Sequence, residues 1–136
     1  MNTGGVLELI RGHPRETAED QFAAQCRALK LPPVERQHVF AKEATGRLWR
    51  FDFAWRNYWL AVEIEGIVPR RLPTGQVVVG GRHGSVAGII EDMEKYNTAA
   101  LLGWTVLRFP QKYVRPKHAV EMTMRVLAAR GWRCEQ

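Results

Sequence analysis

The chain has 136 residues, of which 46% are hydrophobic and 25% are charged, and this length and balance are typical of one globular domain. Its two cysteines, Cys26 and Cys134, are too few and too far apart for a disulfide framework or a zinc site, and no apolar run is long enough to cross a membrane, so we expect a cytoplasmic protein without membrane contact. The formal net charge of +6 at pH 7 favours a polyanionic partner.

The N-terminal residues 1–15 contain glycine and proline and lack hydrophobic periodicity, which predicts an arm ahead of a single domain over residues 16–136. The first element of that domain is an amphipathic helix from about Glu16 to Lys30, because apolar residues recur there at helical spacing. Glu19 lies at the edge of the apolar stripe. It is either a first-turn acid that favours the helix dipole or part of a functional site.

A β-hairpin is the central feature of the predicted fold. Val34 to Phe40 alternates weakly and predicts a first strand, and the segment from Arg50 to Gly66 alternates strongly on both sides of a polar break at Arg56-Asn57. Apolar residues of the hairpin share one face, which predicts a core surface formed by Phe51, Phe53, Leu60, Val62 and Ile64.

The opposite face of the hairpin carries three carboxylates. With a two-residue turn, Asp52 lies opposite Ala61, Glu63 is its diagonal neighbour, and Glu65 shares the same face. Acids this close repel one another unless a cation lies between them. The hairpin therefore predicts a site for a hard divalent cation.

A long connection from Ile67 to Gly84 follows the acids, with a β-like patch at Gln76 to Val79. Connections of this length in a compact domain are more often functional than not. It ends in GGRHG, so Arg82 and His83 return to the carboxylates if the loop folds back. His83 is then either a catalytic residue or an exposed or structural histidine.

The second half of the chain predicts a helix, a strand and a helix. The helix from Val86 to Leu102 has a predicted buried stripe of Ile89, Ile90, Met93, Ala100 and Leu101. A strand over Trp104 to Phe109 can pair in parallel with the strand ending at Glu65 through a right-handed crossover. The last helix, from about Pro116 to Arg130, is predicted to turn Ala119, Met122, Val126 and Leu127 inward.

This order of elements, with Glu19 on the first helix, Asp52 on one strand and Glu63-Ile64-Glu65 on the next, resembles the PD-(D/E)XK nuclease superfamily. Within it, FDFAWRNYWLAVEIEG followed by GRH and DMEKYNTAALLGWTVLRF looks like the branch related to very-short-patch-repair endonucleases. The resemblance covers about residues 16 to 110. It implies an α/β, restriction-endonuclease-like αβββαβ core with a central mixed four-stranded sheet flanked by helices, and here an extra C-terminal helix.

The resemblance implies a Mg²⁺-dependent DNA endonuclease, with a role such as DNA repair. Asp52 and Glu63 match its metal ligands, and Glu19 matches a helix acid that binds metal directly or through water. The family pattern has a lysine where this chain has Glu65. Either Lys95 on the following helix supplies that cation, or Glu65 is a further ligand or general base assisted by His83.

The chemistry of phosphodiester hydrolysis assigns further residues. A carboxylate-bound Mg²⁺, for which Mn²⁺ can substitute, activates water and polarises the phosphate. Arg82 can hold a non-bridging oxygen, and a basic loop and C-terminal region can bind flanking phosphates. Those phosphate-binding residues are Arg70, Arg71, Lys112, Arg115 and Lys117.

Two other functions compete with the nuclease, and a homodimer is compatible with any of the three. The first is a catalytically inactive DNA-binding module of the same fold. The second is a basic structural or interaction protein, which leaves the clustered acids without a reason. The inactive module is favoured if Lys95 is remote from the acids. In that case Lys95 forms a surface ion pair with Asp92, three residues away on the same helix.

Overall fold

The computed structural model of the protein describes residues 16–67, 69–79 and 85–134. In chain order, the elements are α1 (Ala18–Ala28), β1 (Glu35–Val39), α2 (Lys42–Thr45), β2 (Arg50–Trp55), β3 (Leu60–Glu65), β4 (Pro69–Arg71), β5 (Val77–Val79), α3 (Val86–Leu101), β6 (Thr105–Pro110) and α4 (His118–Ala129). The predicted order is confirmed; α2 and the small β4–β5 hairpin lie within predicted connections. The predicted arm, residues 1–15, lies outside the described residues. No helix in the described segments has the length and apolar character needed to span a bilayer.

The first helix forms where its caps and periodicity predict it. Thr17 is the N-cap, and its side-chain oxygen accepts a hydrogen bond of 3.1 Å from the backbone N–H of Asp20. Phe22, Ala23 and Cys26 are buried at helical spacing. The predicted amphipathic helix is therefore confirmed, with Cys26 as a core residue.

Four strands form a mixed sheet in the order β1-β2-β3-β6. The first three are antiparallel neighbours, whereas β6 pairs with β3 in parallel. The parallel pair is possible because α3 carries the chain back across the sheet between these strands. An α/β protein with a mixed four-stranded sheet flanked by helices is thus confirmed.

The register of the β2–β3 hairpin differs from the predicted one. Arg56–Tyr58 form a turn of 3₁₀ helix and Trp59 follows in the left-handed region at φ 49°, so the connection has four residues rather than two. Ala54 therefore pairs with Ala61, and the same register continued toward the start of β2 sets Asp52 directly opposite Glu63. Because the shift is two residues, the acids keep their predicted face.

This hairpin turn is held by a residue from the end of the chain. Arg130, the C-cap of α4, donates hydrogen bonds to the carbonyl oxygens of Tyr58 and Trp59 at 2.6 and 2.9 Å, and a further one to Thr105 Oγ1. The carbonyl oxygen of Trp59 also accepts from the backbone N–H of Thr105 at 2.9 Å. Left-handed backbone is unfavourable for a bulky residue, so these contacts stabilise an otherwise costly turn.

The hydrophobic core lies on both faces of the sheet. The larger cluster lies between the sheet and helices α1 and α4, and its buried members include Phe22, Phe53, Trp55, Leu60, Val62, Ile64, Val120 and Leu127. The smaller cluster lies on the α3 side and comprises Phe51, Ala54, Ala61, Ala99 and Trp104. Four of the five predicted hairpin core residues therefore share a face, as expected.

Phe51 is the exception, and its prediction was wrong. It packs in the smaller cluster, with its ring stacked on Phe40 at a centroid separation of 3.9 Å. Strict alternation along β2 therefore fails between Phe51 and Phe53. The β1–β2 pairs on either side, Arg36 with Phe53 and His38 with Phe51, place Asp52 opposite Gln37. The backbone of Gln37 has a φ of 54°, which distorts β1 at this point.

The predicted buried stripe of α3 was also wrong. Ile89, Ile90, Met93 and Leu101 are 42%, 50%, 59% and 84% exposed, and Ala100 is exposed as well. The helix instead turns Lys95, Tyr96 and Ala99 toward the sheet, because Glu63 and Glu65 require polar partners there. On α4, Ala119 and Leu127 are buried and Val126 packs on the core as predicted, whereas Met122 is 40% exposed.

Two leucines that the sequence places in equivalent apolar stripes test this assignment. Leu127→Ala empties a fully buried position and is expected to lower the free energy of unfolding by about 2–5 kcal/mol. Leu101→Ala removes a side chain that is 84% exposed and is expected to change it by less than about 0.5 kcal/mol. Urea denaturation of both variants measures the difference, and equal losses would contradict the exposed face of α3.

Candidate active site

The predicted acids meet in a groove of about 560 Å³ between the end of β3 and helix α3. Its walls include five predicted site residues, contributed by α1, β2, β3 and α3: Glu19, Asp52, Glu63, Glu65 and Lys95. The groove therefore collects side chains that are remote in sequence. Each acid has a different set of neighbours, and these decide its chemistry.

Asp52 is fixed between two strands. Its Oδ2 accepts a hydrogen bond of 2.8 Å from the backbone N–H of Ile64, beyond the last backbone pair of the hairpin at Phe53 and Val62. The carboxylate therefore accepts the hydrogen bond of a backbone N–H that would otherwise lack a partner in β2. This bond fixes one oxygen of the carboxylate, and Asp52 lines the groove.

Glu63 is paired with Lys95 inside the protein. The Lys95 ammonium donates a hydrogen bond to Glu63 Oε1, and the two side chains are only 13% and 9% exposed. Lys95 Nζ also lies 5.9 Å from the ring centroid of Phe51 and 5.4 Å from that of Tyr96. The lysine of α3 thus reaches the acids of β3.

The pKa of Glu63 reflects a balance of opposing effects. Burial raises it to about 6, with the Asp52 and Glu65 carboxylates adding to the rise and Lys95 opposing it. Without the ammonium, a carboxylate this buried beside two others is disfavoured in its charged form. Lys95 therefore helps keep Glu63 ionised at neutral pH.

Glu65 is bound to an arginine that the sequence analysis missed. Arg108 of β6 donates from Nε and from a terminal nitrogen to Glu65 Oε1, both at 2.6 Å, and the Tyr96 hydroxyl lies 3.5 Å from the same oxygen. The guanidinium also lies 4.2 Å from the Tyr96 ring centroid. The sequence held one sign of this partner. Strands that pair in parallel are usually apolar throughout, yet β6 carries an arginine, Arg108, which pairs with Glu63.

Glu19 contributes charge at the edge of the groove. Its Oε2 is 3.9 Å from Arg36 Nη2, and the other terminal nitrogen of Arg36 lies 3.1 Å from Asp20 Oδ1. Partial burial and the nearby Asp52 carboxylate raise the pKa of Glu19, and Arg36 opposes the rise. Glu19 therefore interacts electrostatically with Asp52. A first-turn acid surrounded only by water would not, so this favours the interpretation of Glu19 as part of the site.

Two carboxylates of the groove are candidates to hold a metal ion. Within residues 16–67, 69–79 and 85–134, no three His, Cys, Asp or Glu side chains are grouped so that they could hold one ion. Mg²⁺ does not require such a group, because it keeps several waters and binds proteins through one or two carboxylates. Asp52 and Glu63, whose charges repel, offer two hard oxygen ligands at the same end of the hairpin.

Predicted phosphate-binding residues lie at the same end of the sheet. Glu65 pairs with Pro110 at the end of β6, and the exposed Lys112, Arg115 and Lys117 follow directly along the chain. A Cβ added at Gly66 would lie 3.2 Å from Gln111 Nε2, so this turn packs closely against the end of β3. These cations are therefore exposed near the end of β3 that carries Glu65, but none of them lines the groove.

Other predicted site residues extend the basic surface or lie outside the described part. Arg71 is an exposed residue of β4. The side chain of Arg70, and both Arg82 and His83, fall outside what the structure describes. Their roles stay predictions from the sequence.

Comparisons with protein-family models, with curated proteins and with solved structures found no match to this chain.

The titration of Glu63 in the metal-free protein tests the charge balance. Lys95→Met is expected to raise the Glu63 pKa further above about 6, by about one pH unit or more, because it removes the opposing positive charge. Asp52→Asn is expected to lower it, because it removes a repelling carboxylate. The measurement is the pH dependence of the Glu63 carboxyl ¹³C shift. Lys30→Met, an exposed lysine that does not line the groove, is the control and should leave the pKa unchanged.

Proposed function

We propose that this protein is a metal-dependent endodeoxyribonuclease that hydrolyses phosphodiester bonds in DNA. The observation that carries the proposal is the contact of Lys95 with Glu63. The family pattern has a lysine where this chain has Glu65, and Lys95 supplies a lysine within the acidic groove instead. The sheet order β1-β2-β3-β6 with a parallel β3–β6 pair supports a restriction-endonuclease-like fold. Both features support membership of the PD-(D/E)XK superfamily, near the very-short-patch-repair branch.

Asp52 and Glu63 would hold Mg²⁺ or Mn²⁺ in this function. The bound ion lowers the pKa of a water ligand and polarises the phosphate. Asp52 keeps one oxygen bound to the backbone N–H of Ile64, the residue after Glu63, so its carboxylate is fixed against β3. That preorganised placement limits the rearrangement needed to bind the substrate. Glu19 is the candidate for a contact through water.

Positive charge around the acids has two roles in the proposal. Lys95, held against Glu63, stabilises negative charge that develops on the phosphate oxygens. Arg108, oriented by Glu65 and stacked on Tyr96, is preorganised to hold a phosphate oxygen through its remaining terminal nitrogen. Arg71, Lys112, Arg115 and Lys117 bind flanking phosphates and position the substrate without reading its sequence.

A catalytically inactive DNA-binding module of the same fold is the second candidate. The pairing of Glu65 with Arg108 favours it, since an acid neutralised by an arginine at this position can stabilise the sheet end without any chemistry. Both candidates bind DNA through the same basic surface. They differ in whether Glu63 and Lys95 act on a bound phosphate.

Cleavage of supercoiled plasmid in Mg²⁺, Mn²⁺ or EDTA distinguishes the two candidates. We expect cleavage that requires a metal and falls by at least about 10²-fold in Glu63→Gln and in Lys95→Gln, because each variant removes charge at the reacting phosphate. Glu94→Gln, on the exposed side of α3, is the matched carboxylate control and should cleave normally. Circular dichroism melts check that all variants are folded.

DNA binding in EDTA completes the comparison. Binding by wild type without cleavage in any metal would establish the inactive module. If Glu63→Gln and Glu94→Gln both cleave DNA as well as wild type does, the assigned site is contradicted. Failure of wild type to bind or cleave DNA would remove both candidates.

A further inference from the structure

A second pocket, of about 670 Å³, lies directly beside the candidate active site. The two cavities share four lining residues, Glu65, Gly66, Asp92 and Tyr96. A ligand that extends out of the acidic groove past Glu65 therefore enters this pocket. Its volume is within the range of about 300–1,000 Å³ usual for small-molecule sites.

Part of the wall of this pocket is apolar, although the charged residues Glu65, Asp92 and Arg108 also line it. Ile67, Ile89 and Met93 line it and are 53%, 42% and 59% exposed. Large apolar side chains exposed together at a cavity indicate a binding surface. Two of them, Ile89 and Met93, belong to the α3 stripe that the sequence pattern placed in the core.

Planar and polar groups complete the pocket. The Tyr96 ring and the Arg108 guanidinium both line it, and Glu65 holds the guanidinium in place. The guanidinium already lies 4.2 Å from the Tyr96 ring centroid, so a flat ring stacks on the guanidinium, whose side chain is 44% exposed. Asn97 is an exposed lining residue, and its amide offers a donor and an acceptor to the edge of a heterocycle.

We infer that this pocket receives one unpaired nucleobase of the DNA strand whose phosphate lies in the acidic groove. The inference rests on the proposed function, because the groove supplies the phosphate that brings the base there. Apolar walls, stacking planes and one amide are the groups that bind a base outside a helix. A fully paired base cannot enter, so the preferred substrate has an unpaired nucleotide next to the scissile phosphate.

Adjacent isoleucines on α3 provide a matched test. Ile89 lines the pocket and is 42% exposed, whereas Ile90 does not line it and is 50% exposed. Ile89→Ala removes an apolar wall and Ile90→Ala removes the same atoms elsewhere on the same helix turn. Both substitutions favour helix, so neither is expected to unfold the protein.

The measurement is fluorescence anisotropy in EDTA with a labelled single-stranded oligonucleotide and with the same sequence as a paired duplex. We expect Ile89→Ala to weaken binding of the single strand by about tenfold and binding of the duplex by less than about twofold, because phosphate contacts remain. Met93→Ala should behave in the same way. Ile90→Ala should match wild type on both substrates.

Each outcome separates this inference from the nuclease proposal. Equal behaviour of Ile89→Ala and Ile90→Ala overturns the base pocket, and metal-dependent cleavage by wild type in that case leaves the nuclease standing. Selective loss of single-strand binding without any cleavage supports the pocket and overturns the nuclease. Wild type that binds neither substrate overturns both.

Discussion

The buried contact between Lys95 and Glu63 constrains the whole α3 side of the protein. An ion pair this far from water must stay matched, since loss of one partner typically costs about 3–5 kcal/mol. Helix α3 therefore has to turn Lys95 toward β3, and Tyr96 and Ala99 follow on the same face. The isoleucines and Met93 consequently face outward. A polar requirement at the sheet has overridden the hydrophobic pattern of the helix.

Much of the fold was predictable from periodicity, and the misses share one physical cause. Strong alternation identified β3 and the faces of Val62 and Glu63, and the helix between β3 and β6 implied their parallel pairing. These signals are local to one segment. The face of α3 and the departure of Phe51 from alternation depend on partners contributed by other segments, such as Glu63 and Gln37. A pattern within one element does not contain that information.

The candidate site shows the same division. Asp52, Glu63 and Lys95 could be named from their residue types, and the structure brings them together. The partner of Glu65 could not be named, because Arg108 belongs to a strand more than forty residues away and is adjacent only through the parallel register. A carboxylate that the sequence leaves unbalanced is in fact matched by a cation from the neighbouring strand.

The four-residue connection between β2 and β3 has a consequence for how this chain can vary. Arg56–Tyr58 and the left-handed Trp59 determine which residues of the two strands face each other. Insertion or deletion of one residue there would reverse the faces of one strand and turn acids into the core. A change of two would keep the faces but separate Asp52 from Glu63 along the strands. The acids therefore constrain the length of this turn, although it lies at the opposite end of the strands from them.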